Sequence, residues 1–133
     1  MDSKILFDEN AHNTINPNGS VIFGPQFLAS KLYQLSPVEM TLAMSLLRPT
    51  RVYGDQELLR EQTRVTRDKY GSVAKIYIVC EQDQVLKKDF QLSMIEGNPE
   101  IEVKNIAEAD HMPMFSKPQE LFSYLHHIAN TFY

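Results

Sequence analysis

One cysteine, Cys80, stands among the 133 residues. A single thiol excludes an intrachain disulfide and any cysteine-built metal cluster, and it suits a reducing compartment. No apolar run approaches the roughly 20 residues that cross a bilayer. The opening residues, with Asp2, Lys4, Asp8 and Glu9, lack the apolar centre of a signal peptide. No basic cluster stands out either. Lys and Arg number 13 against 17 Asp and Glu, for a net charge of −4. Arg48, Arg51, Arg60, Arg64 and Arg67 are scattered among acids, so nucleic acid has no electrostatic footprint to recognise. Internal repeats and low-complexity tracts are absent. The expectation is a soluble cytoplasmic protein with no nucleic-acid or membrane partner.

What is present is an ordinary globular mixture, 43% hydrophobic and 23% charged, long enough for one modest core. Residues 1–20 are polar and turn-rich, ending in Asn16-Pro17-Asn18-Gly19-Ser20, and read as loop with no opening strand. Pro25 suits the first turn of a short helix running to Tyr33. Ser36-Pro37-Val38-Glu39 is a helix start, with Ser36 as cap and Pro37 at the first helical position. That helix runs to Leu47, before Pro49, and is apolar nearly all round, so something should cover it. Asp55–Glu61 reads as a helical turn or a short extended piece. Tyr70-Gly71-Ser72 is a turn.

Beyond it the pattern changes. Val73–Cys80 is a continuous, β-branched-rich apolar run, which predicts a strand buried on both faces. Lys87–Glu96 is an amphipathic helix closed by Gly97-Asn98-Pro99. Ile101–Ile106 alternates as a second strand, and Lys117-Pro118 opens a terminal helix with Leu121, Phe122, Leu125, Ile128 and Ala129 at helical spacing. Strand, helix, strand, helix predicts a parallel βαβα unit over 71–133, preceded by a loop and helical lid over 1–70. Two strands leave a bare edge, so the sheet reads as part of a larger one, or as a surface for self-association.

In such sheets functional residues gather where strands end at their carboxyl side. Asp83 follows the first strand and His111 the second, so both loops open at one edge. An Asp–His hydrogen bond there would fix the imidazole tautomer and stabilise the imidazolium. The competing reading is structural: Asp83 caps the helix near Lys87, and His111 is an ordinary loop residue. Asp110 is expected to make local turn hydrogen bonds. His126 and His127 are sequence neighbours and cannot share a helix face, which argues against a metal site. Cys80 reads as a small buried hydrophobe. No serine lies in a Gly-x-Ser-x-Gly frame, so none is presented on the strained elbow that activates a serine nucleophile. A glycine-rich oxyanion loop is missing too.

Several segments match a known pattern in order: Phe23-Gly24-Pro25-Gln26-Phe27-Leu28-Ala29, Lys31-Leu32-Tyr33-Gln34, Arg48-Pro49, Tyr70-Gly71-Ser72-Val73, Ile76-Tyr77-Ile78-Val79-Cys80, Asp89-Phe90-Gln91, Ala109-Asp110-His111-Met112-Pro113-Met114 and Ser116-Lys117-Pro118-Gln119-Glu120-Leu121. Together they resemble the lid and C-terminal half of the plant methylesterase group of α/β-hydrolases, with its hydroxynitrile lyase relatives. The resemblance implies a partial α/β-hydrolase fold, a helical lid followed by parallel strands. It implies Asp83 as triad acid, His111 as triad base, and a pocket for a small ester or aromatic acid in which Met112 lies. Phe23, Phe27 and Leu28 of the lid segment are assigned to the same pocket. No metal or organic cofactor is implied. The lyases carry lysine after the histidine; Met112 here favours the esterase branch. The implied parent activity is hydrolysis of esters such as methyl salicylate, methyl jasmonate or methyl indole-acetate. Without the serine, the expectation is a truncated and inactive hydrolase. The alternatives are a non-catalytic aromatic-acid-binding or interaction protein, and a hydroxynitrile lyase relative.

Overall fold

The computed structural model describes residues 14–15, 20–51, 56–98 and 100–132. It opens on a small antiparallel sheet of three strands in the order β1 (Thr14–Ile15), β2 (Ser20–Ile22) and β3 (Thr50–Arg51). Thr14 pairs with Ile22, and Val21 pairs with Thr50. The expectation of a strandless opening is therefore corrected. These strands are two or three residues long, too short to show a period, and one partner lies some thirty positions away (Val21 with Thr50). Pairing buries Val21. The turn expected at 16–19 falls outside the described residues.

Helix α1 (Pro25–Phe27) starts with Pro25, whose missing N–H costs nothing there, and continues as π-helix over Leu28–Leu32. Helix α2 (Pro37–Leu46) begins and ends where the sequence predicts, but Ser36 does not cap it. Its hydroxyl is buried and has no hydrogen-bond partner among the described residues. The cover expected over α2 is not found among the described residues. No side chain of the helix is buried, and Val38, Leu42 and Leu46 are 79%, 61% and 63% exposed. One edge of this region does pack: Phe27, Leu28, Leu32 and Tyr33 form a buried cluster, joined by Phe23, Met40, Ala43, Leu47, Val85 and Met112. Leu28 is 1% exposed. Leu28→Ala is expected to cost about 2–5 kcal/mol by removing buried methyls and leaving a cavity, read as a lower urea midpoint at unchanged slope.

Helix α3 (Gln56–Gln62) settles the ambiguous segment as helix. After a 3₁₀ turn at Tyr70–Ser72 come β4 (Lys75–Cys80), α4 (Lys88–Glu96) and β5 (Ile101–Ile106). The strands pair in parallel from Lys75 with Ile101 to Cys80 with Ile106. The expectation that Val73–Cys80 is buried on both faces needs correction. Only Val79 and Cys80 are buried, and Val73 lies outside the strand, 54% exposed. Burial needs layers on both sides, and only the carboxyl end of this pair is well covered. There Cys80, Ile106 and Ala109 pack with Ile78, Leu121 and Tyr124. A short helix α5 (Pro113–Ser116), unanticipated, precedes α6 (Pro118–Phe132). The Tyr124 hydroxyl donates to the Asn105 carbonyl at 3.0 Å and pins α6 beside β5. Among the described residues no helix is long and apolar enough to cross a membrane.

Candidate active site

The register that pairs Cys80 with Ile106 ends both strands at one level. Their loops then run side by side. The Glu81 N–H donates to the Ile106 carbonyl at 3.2 Å and the Gln82 N–H to the Ala109 carbonyl at 2.9 Å. This brings Asp83 and His111 together, with His111 Nδ1 2.9 Å from Asp83 Oδ2. The Asp83 side chain is 6% exposed and that of His111 28%. The other oxygen, Asp83 Oδ1, accepts the N–H groups of Val85 at 2.7 Å and Leu86 at 2.9 Å. The carboxylate therefore serves both readings of the sequence at once. One oxygen holds the turn that leads into α4, and the other faces the imidazole. A carboxylate beside Nδ1 favours the tautomer that donates from Nδ1 and leaves Nε2 as acceptor. Among the described residues no serine hydroxyl bonds to His111.

Asp110, expected only to make a local turn, does more. Its Oδ1 accepts the Met112 N–H at 2.9 Å, as an Asx turn does. Its Oδ2 accepts the Leu35 N–H at 2.9 Å, seventy-five positions away in the lid. Asp110 is fully buried. Beside this bond the Gln34 amide donates to the Gln82 carbonyl at 2.5 Å. No sequence signal pairs a lid turn with these loops; the contact exists only because the fold brings them together.

The four apolar residues assigned to a pocket do meet. Phe23 stacks on Phe27 with ring centroids 5.0 Å apart, and Met112 joins the cluster that contains Phe27 and Leu28. Phe27 and Leu28 lie inside that cluster, whereas Phe23 and Met112 remain partly exposed. A separate groove of about 350 Å³ lies between α2 and the Tyr33 and Phe115 rings, and none of the four lines it.

Gln91, which only the family pattern singled out, sits buried under the acid loop. Its Oε1 accepts the Cys80 N–H at 3.1 Å, and its Nε2 donates to the carbonyls of Cys80 at 2.9 Å and Leu86 at 2.6 Å. Cys80 is the small buried hydrophobe the sequence suggests. Burial, with the Asp83 and Asp110 carboxylates nearby, pushes its thiol up to about 11. Burial also raises the Tyr77 hydroxyl, with Asp83 contributing. A thiol raised in this way is neutral in the folded chain at pH 8. Ellman's reagent should therefore label Cys80 slowly in the native protein at that pH and rapidly in denaturant, and fast native labelling would contradict the assignment. His126 and His127 are exposed on α6; His126 stacks on Phe122 and meets Asn130. Among the described residues no three His, Cys, Asp or Glu side chains cluster as metal ligands. His12 lies outside the described residues.

No family model matches the chain. Individual relatives do. It is 52% identical over 132 residues to methyl jasmonate esterase 1 of Vitis vinifera, covering 98% of this chain and 49% of the relative. It is 46% identical over 117 residues to methylesterase 3 of Arabidopsis thaliana, covering 87% and 44%. Among solved structures, tomato methylketone synthase I with bound 2-tridecanone superposes at a TM-score of 0.87 and 38% identity, covering 98% of this chain and 53% of that one. Polyneuridine aldehyde esterase superposes at 0.78 and 33%, covering 97% and 51%. A lid above a parallel strand pair, with acid and histidine loops at one edge, is a partial α/β-hydrolase fold. The chain spans about half the length of the curated relatives it matches. Within the superfamily it matches a C-terminal part of the plant methylesterase group.

Proposed function

We propose that this chain carries the lid, the acid and the base of a carboxylic-ester hydrolase for small plant methyl esters. The observation that carries the reading is the 2.9 Å contact between His111 Nδ1 and the buried Asp83 carboxylate. The 52% identity to methyl jasmonate esterase 1 supports the substrate class. In this reading a serine from outside the 133 residues attacks the ester carbonyl. His111 Nε2 takes the serine proton while Asp83 stabilises the imidazolium. His111 then gives that proton to the departing methoxide, releasing methanol. Water, deprotonated in turn by His111, hydrolyses the acyl-serine and frees the acid. Met112, beside the base and against the lid cluster, offers apolar surface to the acyl group.

The 133 residues hold no Gly-x-Ser-x-Gly frame. The chain alone is therefore expected to hydrolyse neither methyl jasmonate nor an aryl acetate above the buffer rate. Fused to the remaining half of methyl jasmonate esterase 1, which would supply the serine, it is expected to hydrolyse methyl jasmonate in a reaction blocked by a fluorophosphonate. An inert but folded fusion would overturn the proposal. So would cyanide release from acetone cyanohydrin without esterase activity, the outcome for a lyase relative.

A second reading has its own observation. Val38, Leu42 and Leu46 stand four residues apart on α2 and are each more than 60% exposed, so the helix shows one continuous apolar stripe, a mark of interaction surfaces. A non-catalytic protein that binds an aromatic acid or associates with itself would use such surface. Light scattering separates the readings, because a stable monomer of 15.3 kDa argues against obligate association.

A further inference from the structure

Asp110 is a completely buried carboxyl group that the hydrolytic scheme does not use. Its two oxygens hold two different parts of the chain, Oδ1 the Met112 N–H and Oδ2 the Leu35 N–H. Met112 directly follows His111. Its carbonyl accepts the N–H groups of Phe115 and Ser116, so the first turn of α5 also hangs from it. The Asp110 N–H in turn reaches Ser116 Oγ at 3.4 Å. His111 thus sits between two held backbone amides, Asp110 N–H on Ser116 Oγ and Met112 N–H on Asp110 Oδ1. On the lid side, Leu35 follows Tyr33 and Gln34 in the tight turn where the Ser36 N–H donates to the Tyr33 carbonyl. Tyr33 belongs to the buried lid cluster, and Gln34 bonds to the acid loop at Gln82. A bond from the base loop to this turn makes lid and base one mechanical unit.

We propose that Asp110 is a positioning residue that couples the seating of the lid to the orientation of His111. With the Leu35 amide on Oδ2, the lid turn is closed on the loop, and Oδ1 holds the Met112 amide that sets the His111 backbone. When the lid turn lifts, Oδ2 loses its partner inside an apolar surround. The carboxyl group then reorients towards water, and the Met112 amide is released with it. The imidazole consequently meets Asp83 in its 2.9 Å geometry only while the lid is seated. Asparagine cannot replace this residue. It has one acceptor oxygen for two N–H groups and turns an NH₂ towards the other.

The proposal rests on reading His111 as the base, and its test avoids turnover so that the two can fail separately. The test uses the full 133-residue chain, labelled with ¹⁵N. It follows amide hydrogen exchange at Leu35, Met112, Val85 and Leu86 together with solvent exchange of the His111 ring Nδ1–H, which is protected while it bonds to Asp83. Asp110→Asn is expected to speed exchange at Leu35, Met112 and the His111 ring Nδ1–H on the order of tenfold or more. Val85 and Leu86, which report the seating of Asp83, should stay protected. A second variant, Gln34→Ala, loosens the lid turn without touching Asp110 and guards against misfolding of the first. It should speed exchange at Leu35 and at the His111 ring Nδ1–H as well. Faster exchange at Leu35 with unchanged exchange of the His111 ring Nδ1–H, in either variant, would reduce Asp110 to a staple and overturn the coupling. Unchanged exchange at Leu35 in Asp110→Asn would overturn the clasp itself.

Discussion

In the fusion that supplies the serine, His111→Ala is expected to lower kcat for methyl jasmonate by about 10⁴-fold, about 5.4 kcal/mol of barrier. The size follows from what the imidazole does. Without it the serine must lose its proton unaided, and methoxide, a poor leaving group, departs without a proton. Binding is left largely intact, so KM should move far less than kcat. Asp83→Asn gives a second, diagnostic loss. Asparagine keeps the shape but can offer Nδ1 its NH₂, which selects the wrong tautomer and removes the charge that stabilises the imidazolium. Asp83 also holds the Val85 and Leu86 amides through its other oxygen. Asparagine keeps an oxygen for those two amides, so Asp83→Asn should lose rate with little stability, whereas Asp83→Ala, which removes the acceptor, should lose both. Stopped-flow turnover and urea titration of the two variants side by side check this. Equal stability losses would count against the division of labour between the two Asp83 oxygens.

The second large effect is on stability. Gln91→Leu is expected to cost about 2–4 kcal/mol, since an unpaired buried backbone group costs about 1–3 kcal/mol. The Cys80 N–H loses its acceptor, and the carbonyls of Cys80 and Leu86 lose a donor. Gln91→Glu should rescue little. It keeps an acceptor for Cys80 N–H but turns oxygen, not NH₂, towards the two carbonyls, and places a carboxylate in a buried site. Against a typical total of about 5–15 kcal/mol, either change is a large share. The expected result is a urea midpoint lowered in both variants at unchanged slope. A leucine variant as stable as the parent would show that these bonds are made equally well by water.

Much of the second half is legible in the sequence. Ile101–Ile106 alternates, Val73–Cys80 is rich in β-branched residues, and the terminal helix repeats its apolar residues every three or four positions. Each of those patterns is local, and each element formed within a few residues of its expected bounds. The misses share a cause. Strand β3 joins β2 by pairing between residues some thirty positions apart, Ser36 has the sequence of a cap but not its bond, and α2 has an apolar surface without a described cover. In each case the outcome depended on neighbours that local sequence does not specify.

The same division runs through the site. Sequence by itself determined which groups stand at the ends of the two parallel strands, because period and strand length place Asp83 and His111 at one edge. It also determined that no serine in this chain is framed as a nucleophile. Only the tertiary structure decided that Asp83 divides its oxygens between a turn and the imidazole, that Gln91 satisfies the end of β4, and that Asp110 reaches across seventy-five positions to the lid. Hydrogen bonds act over about 3 Å, and which groups come that close is set by how the lid packs on the strand ends, not by their order along the chain.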